Sequence, residues 1–196
     1  MRLFVAIRPP ADAVADLDEH LAGLRSGARD VRWTPPEQWH LTLAFLGEVD
    51  QRRYAELSSR LARPAARAAP LRLSLTGAGT FPRRPDRARV LWTRVDGERA
   101  GLSRLAAAAG ATARRSAIAV EERRFSPHLT LGRARPPKGT DVTALVSALG
   151  NYAGPAWIAT ELELVRSHLG SAVRHESLAR WPLDKEPDPA DRQRAD

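Results

Sequence analysis

The tetrapeptide HLTL occurs at residues 40–43 and again at residues 128–131, 88 positions further on, in a 196-residue chain with only five histidines. Successive residues of a strand face opposite sides, so His40 and Thr42 share one face and Leu41 and Leu43 the other. His128 and Thr130 stand against Leu129 and Leu131 in the same way. Each copy offers an imidazole and a hydroxyl on one side and anchors two leucines in a core on the other. Trp39 and Phe45 extend the apolar side of the first copy. Ala44 and Gly132 continue the polar sides with almost no bulk, which leaves space in front of the histidines. A duplication without function would keep the leucines, which are core. It has less reason to keep both histidines and both threonines.

Around the first copy, LFVAI (3–7) is the continuous apolar run of a buried strand, ended by Pro9 and Pro10. Val14, Leu17, Leu21 and Leu24 recur at helical spacing, with Gly27 as a stop. VRW (31–33) and WHLTLAFL (39–46) predict strands. Asp50 caps a helix that carries Tyr54, Leu57 and Leu61 and ends at Pro64. LRLSL (71–75) and RVLWTRV (89–95) are strands around a Gly/Pro/Arg-rich loop, GAGTFPRRPDR (77–87). An alanine-rich helix opens at Asp96 or Gly97 and runs to about Thr112, followed by strands over SAIAVE (116–121) and FSPHLTLGR (125–133). Thr140 caps a helix with Val142, Leu145 and Leu149 that Gly150 stops. ATELELVRSHL (159–169) and AVRHESLARWPL (172–183) form a hairpin about Gly170-Ser171.

Residues 1–183 read as one domain, and the polar stretch 184–196, without apolar period, as a disordered tail. Each half of the chain holds strands, helices and one HLTL, the mark of an internal duplication. Strands that follow one another without a helix pair antiparallel, so the expected class is α+β.

Net charge is +8, and arginine supplies 29 of the 31 basic residues. Arginine's planar fork suits phosphate, but a GC-rich genome inflates Arg, Ala and Pro together and accounts for the excess equally well. Cysteine is absent, which removes disulfides, thiolate nucleophiles and cysteine-bound metals from consideration. No stretch approaches the ~18–20 apolar residues that span a membrane, and the opening apolar run is too short for a signal peptide. The expected protein is cytoplasmic.

The motif pair narrows the chemistry. A zinc site takes three or four protein ligands, whereas the two copies offer two histidines and no carboxylate, so no metal is expected. No G-x-S-x-G marks a serine nucleophile. Acid–base catalysis fits. Imidazole titrates near neutrality, so of two facing histidines one takes a proton from an attacking water and the other protonates the departing oxygen. The threonine hydroxyls would donate to non-bridging phosphoryl oxygens, where charge develops. This scheme needs no cofactor. The motifs being identical, the letters do not say which histidine is the acid.

Two HxTx motifs at this separation resemble those of the two-histidine phosphoesterases. MRLFVAI at the start, RWTPPEQWHLTLAFLGEV (32–49), RVLW (89–92), RFSPHLTLGRAR (124–135) and LVRSHL…WPL (164–183) resemble the RNA 2′,3′-cyclic phosphodiesterases, also called 2′-5′ RNA ligases. The resemblance implies a bilobal, pseudo-symmetric α+β fold, with two antiparallel sheets flanking a central cleft and helices outside. It implies a monomer acting on RNA 3′ ends or small nucleoside cyclic phosphates. Hydrolysis of a terminal 2′,3′-cyclic phosphate would leave a 2′-phosphate, and ATP-independent 2′-5′ ligation would be the same chemistry with a 5′-hydroxyl in place of water. It makes His40 the proton donor to the leaving 3′-oxygen, His128 the base that activates water, and Thr42 and Thr130 the phosphate holders. It also assigns a phosphate-binding role to Arg133. Strict alternation puts Arg133 on the face opposite His128, so it reaches the cleft only if the strand twists or bulges near Gly132.

Two other readings remain open: an RNA-end-binding protein without turnover, and a phosphodiesterase of another small cyclic or 2′-5′-linked nucleotide. Members of the family tend to carry an aromatic residue after the C-terminal hairpin turn, where this chain has SAVRHESL. His168 and His175 lie on that hairpin, and for both a structural or exposed role is the default over lining the cleft. His20 is expected to be exposed. Trp33, Phe81 and Phe125 are core by default and base-stacking surfaces otherwise. The run Arg83-Arg84-Pro85-Asp86-Arg87 is either a solvated loop or a track for an RNA backbone.

Overall fold

The computed structural model describes residues 1–120, 124–170 and 173–185. The element order is β1 (Arg2–Ile7), α1 (Ala11–Arg25), β2 (Val31–Trp33), β3 (Leu41–Glu48), α2 (Gln51–Ala66), β4 (Leu71–Phe81), β5 (Val90–Gly97), α3 (Arg99–Arg115), β6 (His128–Ala134), α4 (Thr143–Ala148), β7 (Trp157–Ala159), β8 (Glu161–His168) and β9 (Arg174–Pro182). The strands run in the order β7-β4-β5-β6-β3-β1-β8-β9, with β2 also on β6, and every pairing is antiparallel.

The two expected sheets are the lobes β3-β1-β8-β9 and β7-β4-β5-β6, and they are continuous. A single residue pair, Leu41 with Leu129, joins β3 to β6. Each lobe thus presents its HLTL strand at the junction. Each also draws strands from both halves of the sequence, since β8 and β9 close on β1. The helices cross between lobes. α1 follows β1 but packs on β4, and α3 follows β5 but packs on β3, while α2 lies on β8, β9 and α3. One hydrophobic core therefore runs behind both lobes, including Leu17 and Leu21 of α1, Leu57 and Leu61 of α2, and Leu102 and Leu105 of α3. At ~25 cal/mol per Å² of apolar surface, each such leucine contributes about 2 kcal/mol. The opposite face of the sheet is the cleft. There Phe4, Ala6 and Val165 form a small separate cluster.

Several boundaries differ from the sequence reading. Asp50 does cap α2, its Oδ1 accepting from Arg53 N at 2.9 Å. Pro64 lies inside that helix, which runs on to Ala66. Residues 77–81, read as loop, belong to β4. Their glycines leave room for a bulge opposite Thr93, whose hydroxyl donates to Gly77 O at 2.8 Å. Ser116 and Ala117 form a turn, not the start of a strand, and Glu121 lies outside the described residues. The helix over 143–148 has Val142, not Thr140, at its N-cap, and the Asp141 carboxylate accepts from Thr143 N. The strand β7 carries no alternating signal and was not expected. Residues 186–196 of the expected tail, and Ser171 of the expected turn, lie outside the described residues.

Candidate active site at the lobe junction

Antiparallel register about the Leu41–Leu129 pair sets His40 across from Thr130, and Thr42 across from His128. The four polar side chains form a crossed square on the cleft face, histidines on one diagonal and threonines on the other. In a regular antiparallel pair that diagonal is roughly 7–8 Å. The leucines do what alternation requires: Leu41, Leu43, Leu129 and Leu131 are all buried in the core.

Both imidazoles are anchored alike. His40 Nδ1 lies 2.7 Å from Gln38 O, and His128 Nδ1 lies 2.7 Å from Ser126 O. A carbonyl only accepts, so Nδ1 carries the proton in each ring and Nε2 keeps its lone pair. The carbonyl two residues before each histidine fixes the tautomer, a second-layer role invisible in the tetrapeptide. Among the described residues neither Thr42 nor Thr130 spends its hydroxyl on a protein partner.

A bulge sits at the same place in both motifs. Thr42 pairs with Ala6 and Ala44 with Val5, leaving Leu43 unpaired. Thr130 pairs with Trp92 and Gly132 with Leu91, leaving Leu131 unpaired. An extra residue inverts the alternation beyond it. Arg133, paired with Val90, therefore returns to the cleft face with Trp92 and Thr130. The same inversion corrects two expectations. Phe45 points to the cleft face, 41% exposed and paired with Phe4, rather than extending the core side. Ala44 and Gly132 turn into the core side; a Cβ on Gly132 would lie 2.6 Å from Val31 Cγ1. The positions five residues after each histidine are thus equivalent in space and opposite in chemistry: Phe45 under the Arg2 guanidinium, and Arg133 beside Arg32.

The two histidines have different neighbours. Phe4 stacks on His40 with ring centroids 4.6 Å apart, and His175 meets it edge-on at 5.0 Å. Phe81 meets His128 edge-on at 5.0 Å, with Trp92 at 6.0 Å. Burial pulls the His40 pKa down to about 4, against the Gln38 carbonyl bond; positive charge on His175, Arg8 and His128 lowers it further. Burial also lowers that of His128, opposed by the Ser126 carbonyl and reinforced by the Arg133 guanidinium. Arg8 is held in place by Glu163, buried on the cleft face, at 2.9 Å. Glu163 also takes Arg180 at 3.4 Å.

Of the other candidates, Phe81 lies at the site, whereas Trp33 and Phe125 pack on the core. His20 is exposed on α1. His168 pairs with Glu176 at 2.7 Å on the hairpin, outside the square. In the run 83–87, Arg84 is tied to Asp86 while Arg83 and Arg87 are exposed. Sequence reasoning missed Phe4, Arg8, Gln38 and Trp92; the parity of β1 was the available signal for Phe4 and Arg8. Among the described residues no group of three or more metal-ligating side chains occurs. No helix among them is long and apolar enough to cross a membrane. A separate cavity of about 820 Å³ lies between α2 and α3, lined by Arg63, Arg67, Arg104, Arg115 and Lys185.

A family model described as LigT-like phosphoesterase matches the chain twice, over residues 7–92 and 95–175, one HLTL in each match. The chain belongs to the LigT-like phosphoesterase family. It is 35% identical over 178 residues to an RNA 2′,3′-cyclic phosphodiesterase of Thermus thermophilus, covering 86% of this chain and 83% of the relative. It is 30% identical over 191 residues to that of Escherichia coli, covering 93% and 96%. A relative of the same name from Geobacillus stearothermophilus is 29% identical over 94% of this chain, which spans only 58% of that protein's length. A crystal structure from Thermus thermophilus superposes with a TM-score of 0.78 at 30% identity, covering 95% of this chain and all of that one. Escherichia coli LigT complexed with 3′-AMP superposes at 0.72 with 29% identity, covering 94% and 98%.

Proposed function

We propose that this protein hydrolyses terminal RNA 2′,3′-cyclic phosphates to 2′-phosphates, with His40 and His128 as acid and base and Thr42, Thr130 and Arg133 on the phosphoryl oxygens. The observation that carries this reading is the crossed square, in which two imidazoles with the same anchored tautomer face each other beside two free hydroxyls. The names of the Thermus and Escherichia relatives support the substrate class.

Water enters on the His128 side and gives a proton to Nε2 of His128 as its oxygen bonds to phosphorus. The P–O3′ bond breaks on the opposite side, and the 3′-oxygen takes a proton from Nε2 of His40. The phosphate remains on O2′. The threonine hydroxyls and the Arg133 guanidinium donate to the two non-bridging oxygens as charge builds on them. His40 must arrive protonated, which its burial and the cations around it oppose in the empty cleft. The substrate's phosphodiester anion, placed between the rings, counters that charge and draws the proton onto His40. No step is assigned to a metal. Ligation is the same path with an RNA 5′-hydroxyl in place of water as the nucleophile.

Turnover of nucleoside 2′,3′-cyclic phosphates in excess chelator tests the reading, with the product scored as 2′- or 3′-phosphate. His40→Ala and His128→Ala should each lose at least 10²-fold, the usual worth of a general acid or base. Unchanged turnover in either variant would sink the mechanism, and loss on chelation would sink the metal-free path. Binding of RNA ends without product would support a binding protein instead.

A further inference from the structure

In a flat sheet His175 would stand far from His40. It pairs with Ser167, beyond the Leu3–Arg166 pair at one end of β1, whereas His40 lies past the Ile7–Leu41 pair at the other end. Three strands at ~4.8 Å and several residues at ~3.3 Å would separate them. Their ring centroids are nevertheless 5.0 Å apart, and His175 also meets Phe4 at 5.1 Å. The β8–β9 hairpin therefore curls back over the cleft face. The unpaired Leu178 opposite the Leu164–Val165 step is the irregularity at which it bends. The start of β9 is fastened there, because Gln38 Nε2 donates to Val173 O. Gln38 thus bonds the hairpin through its side chain and His40 through its carbonyl.

We propose that His175 is a positioning residue for the reaction above: carried over the cleft by the hairpin, it clamps the His40 imidazole against Phe4 so that Nε2 is presented to the phosphoryl group. This rests on the proposed acid role of His40. Among the described residues Nδ1 of His175 is buried with no well-formed hydrogen bond, so packing on His40 and Phe4 places the ring at a polar cost. His128 has no such partner, its neighbours Phe81 and Trp92 being non-titrating. The clamp is titratable. The groups facing it are His40, Arg8 just after β1, and Phe4; Glu163 is committed to Arg8 and Arg180, and Glu176 on its own strand to His168. Burial and the Arg8 charge, opposed by the Gln38 carbonyl, keep His175 neutral to lower pH than a free imidazole. Once protonated, it opposes the proton on His40.

The test compares wild type, His175→Ala and His175→Phe for kcat and KM on a nucleoside 2′,3′-cyclic phosphate, with His40 titrated by its imidazole NMR signal. His175→Ala should lose about tenfold or more in kcat with KM changed less than about threefold, as expected when a reacting group is misoriented. His175→Phe keeps the ring without the nitrogen; it should recover most of kcat and raise the His40 pKa. Wild-type kcat in His175→Ala, or an unmoved His40 titration in His175→Phe, overturns the proposal. Full turnover in His40→Ala would instead overturn the underlying assignment.

Discussion

Replacing His40 with glutamine removes a group that folding holds neutral, and the consequence for stability can be worked out. An ordinary histidine titrates at 6.5, and the His40 pKa is lowered to about 4 in the folded protein. Between those values the unfolded chain binds more protons than the folded one, so stability falls as pH falls. The contribution is intact above pH 7, amounts to about 2 kcal/mol lost by pH 5, and reaches about 3 kcal/mol below pH 4, from the ~1.36 kcal/mol carried by each pH unit. His128 and His175 shift in the same direction, but they remain in both proteins and largely cancel in the comparison. Urea unfolding at pH 7 and pH 5 measures the difference. Wild type should lose about 2 kcal/mol more than His40→Gln, or roughly 4–8 °C in Tm for a domain of this size. Parallel losses in the two proteins would show that His40 is solvated, and the electrostatic account of the cleft would fail with it.

Three further outcomes follow from single contacts. Glu163→Ala leaves Arg8 and Arg180 facing each other without their carboxylate; a loss of about 2 kcal/mol is expected by denaturant titration, below the ~3–5 of a fully buried pair because Arg180 is half exposed. Gly79→Ala would place a Cβ 2.3 Å from the Trp92 ring, pushing the indole away from Phe81 and His128. Its kcat/KM should fall while circular dichroism stays native; full activity would mean that Trp92 does not shape the site. Arg133→Ala removes one charge-assisted contact to phosphate, worth about 1.5–3 kcal/mol, so kcat/KM should drop by roughly ten- to a hundredfold. An unchanged value would put Arg133 outside the phosphate site despite the bulge.

The local signals in the sequence were enough for most elements. The apolar run 3–7, the helical spacing 14–24, the Asp50 cap and the C-terminal hairpin all stand where patterning puts them, because each depends on neighbours in sequence. What patterning misplaced depends on partners elsewhere in the chain. Whether Phe45 and Arg133 face the cleft is decided by which residue of β3 or β6 is skipped in pairing with β1 or β5, and no property of HLTLAF or HLTLGR announces that. The strand over 77–81 is held by Thr93 on β5, and β7 by only three pairs to β4. Pro64 survives inside α2 because it falls in the helix's last turn, where one lost backbone bond costs least. His175 reaches His40 only through the curl of a long hairpin, so its spacing in sequence carried no information about the site.

The proposed division of labour between the two histidines would likewise be an outcome of partners, not of the motifs. Tautomer, tetrapeptide and bulge are the same in both copies, so the junction alone is a symmetric clamp for a symmetric group, which a phosphoryl centre with one entering and one leaving oxygen nearly is. The lobes break the symmetry. Around His40 they bring Phe4, His175, Arg2 and an exposed Phe45, an aromatic surface suited to the nucleoside that keeps the leaving oxygen. Around His128 they bring Arg133 and Arg32 beside the Phe81 and Trp92 rings, and the two arginines favour anionic oxygens over a sugar or base. A nucleotide with its ribose turned away from those two arginines has its 3′-oxygen facing His40 and leaves the His128 side open to water. On this argument the acid and the base are chosen by which side can hold the rest of the substrate, and exchanging Phe45 with Arg133 should impair binding of the nucleotide more than that of inorganic phosphate.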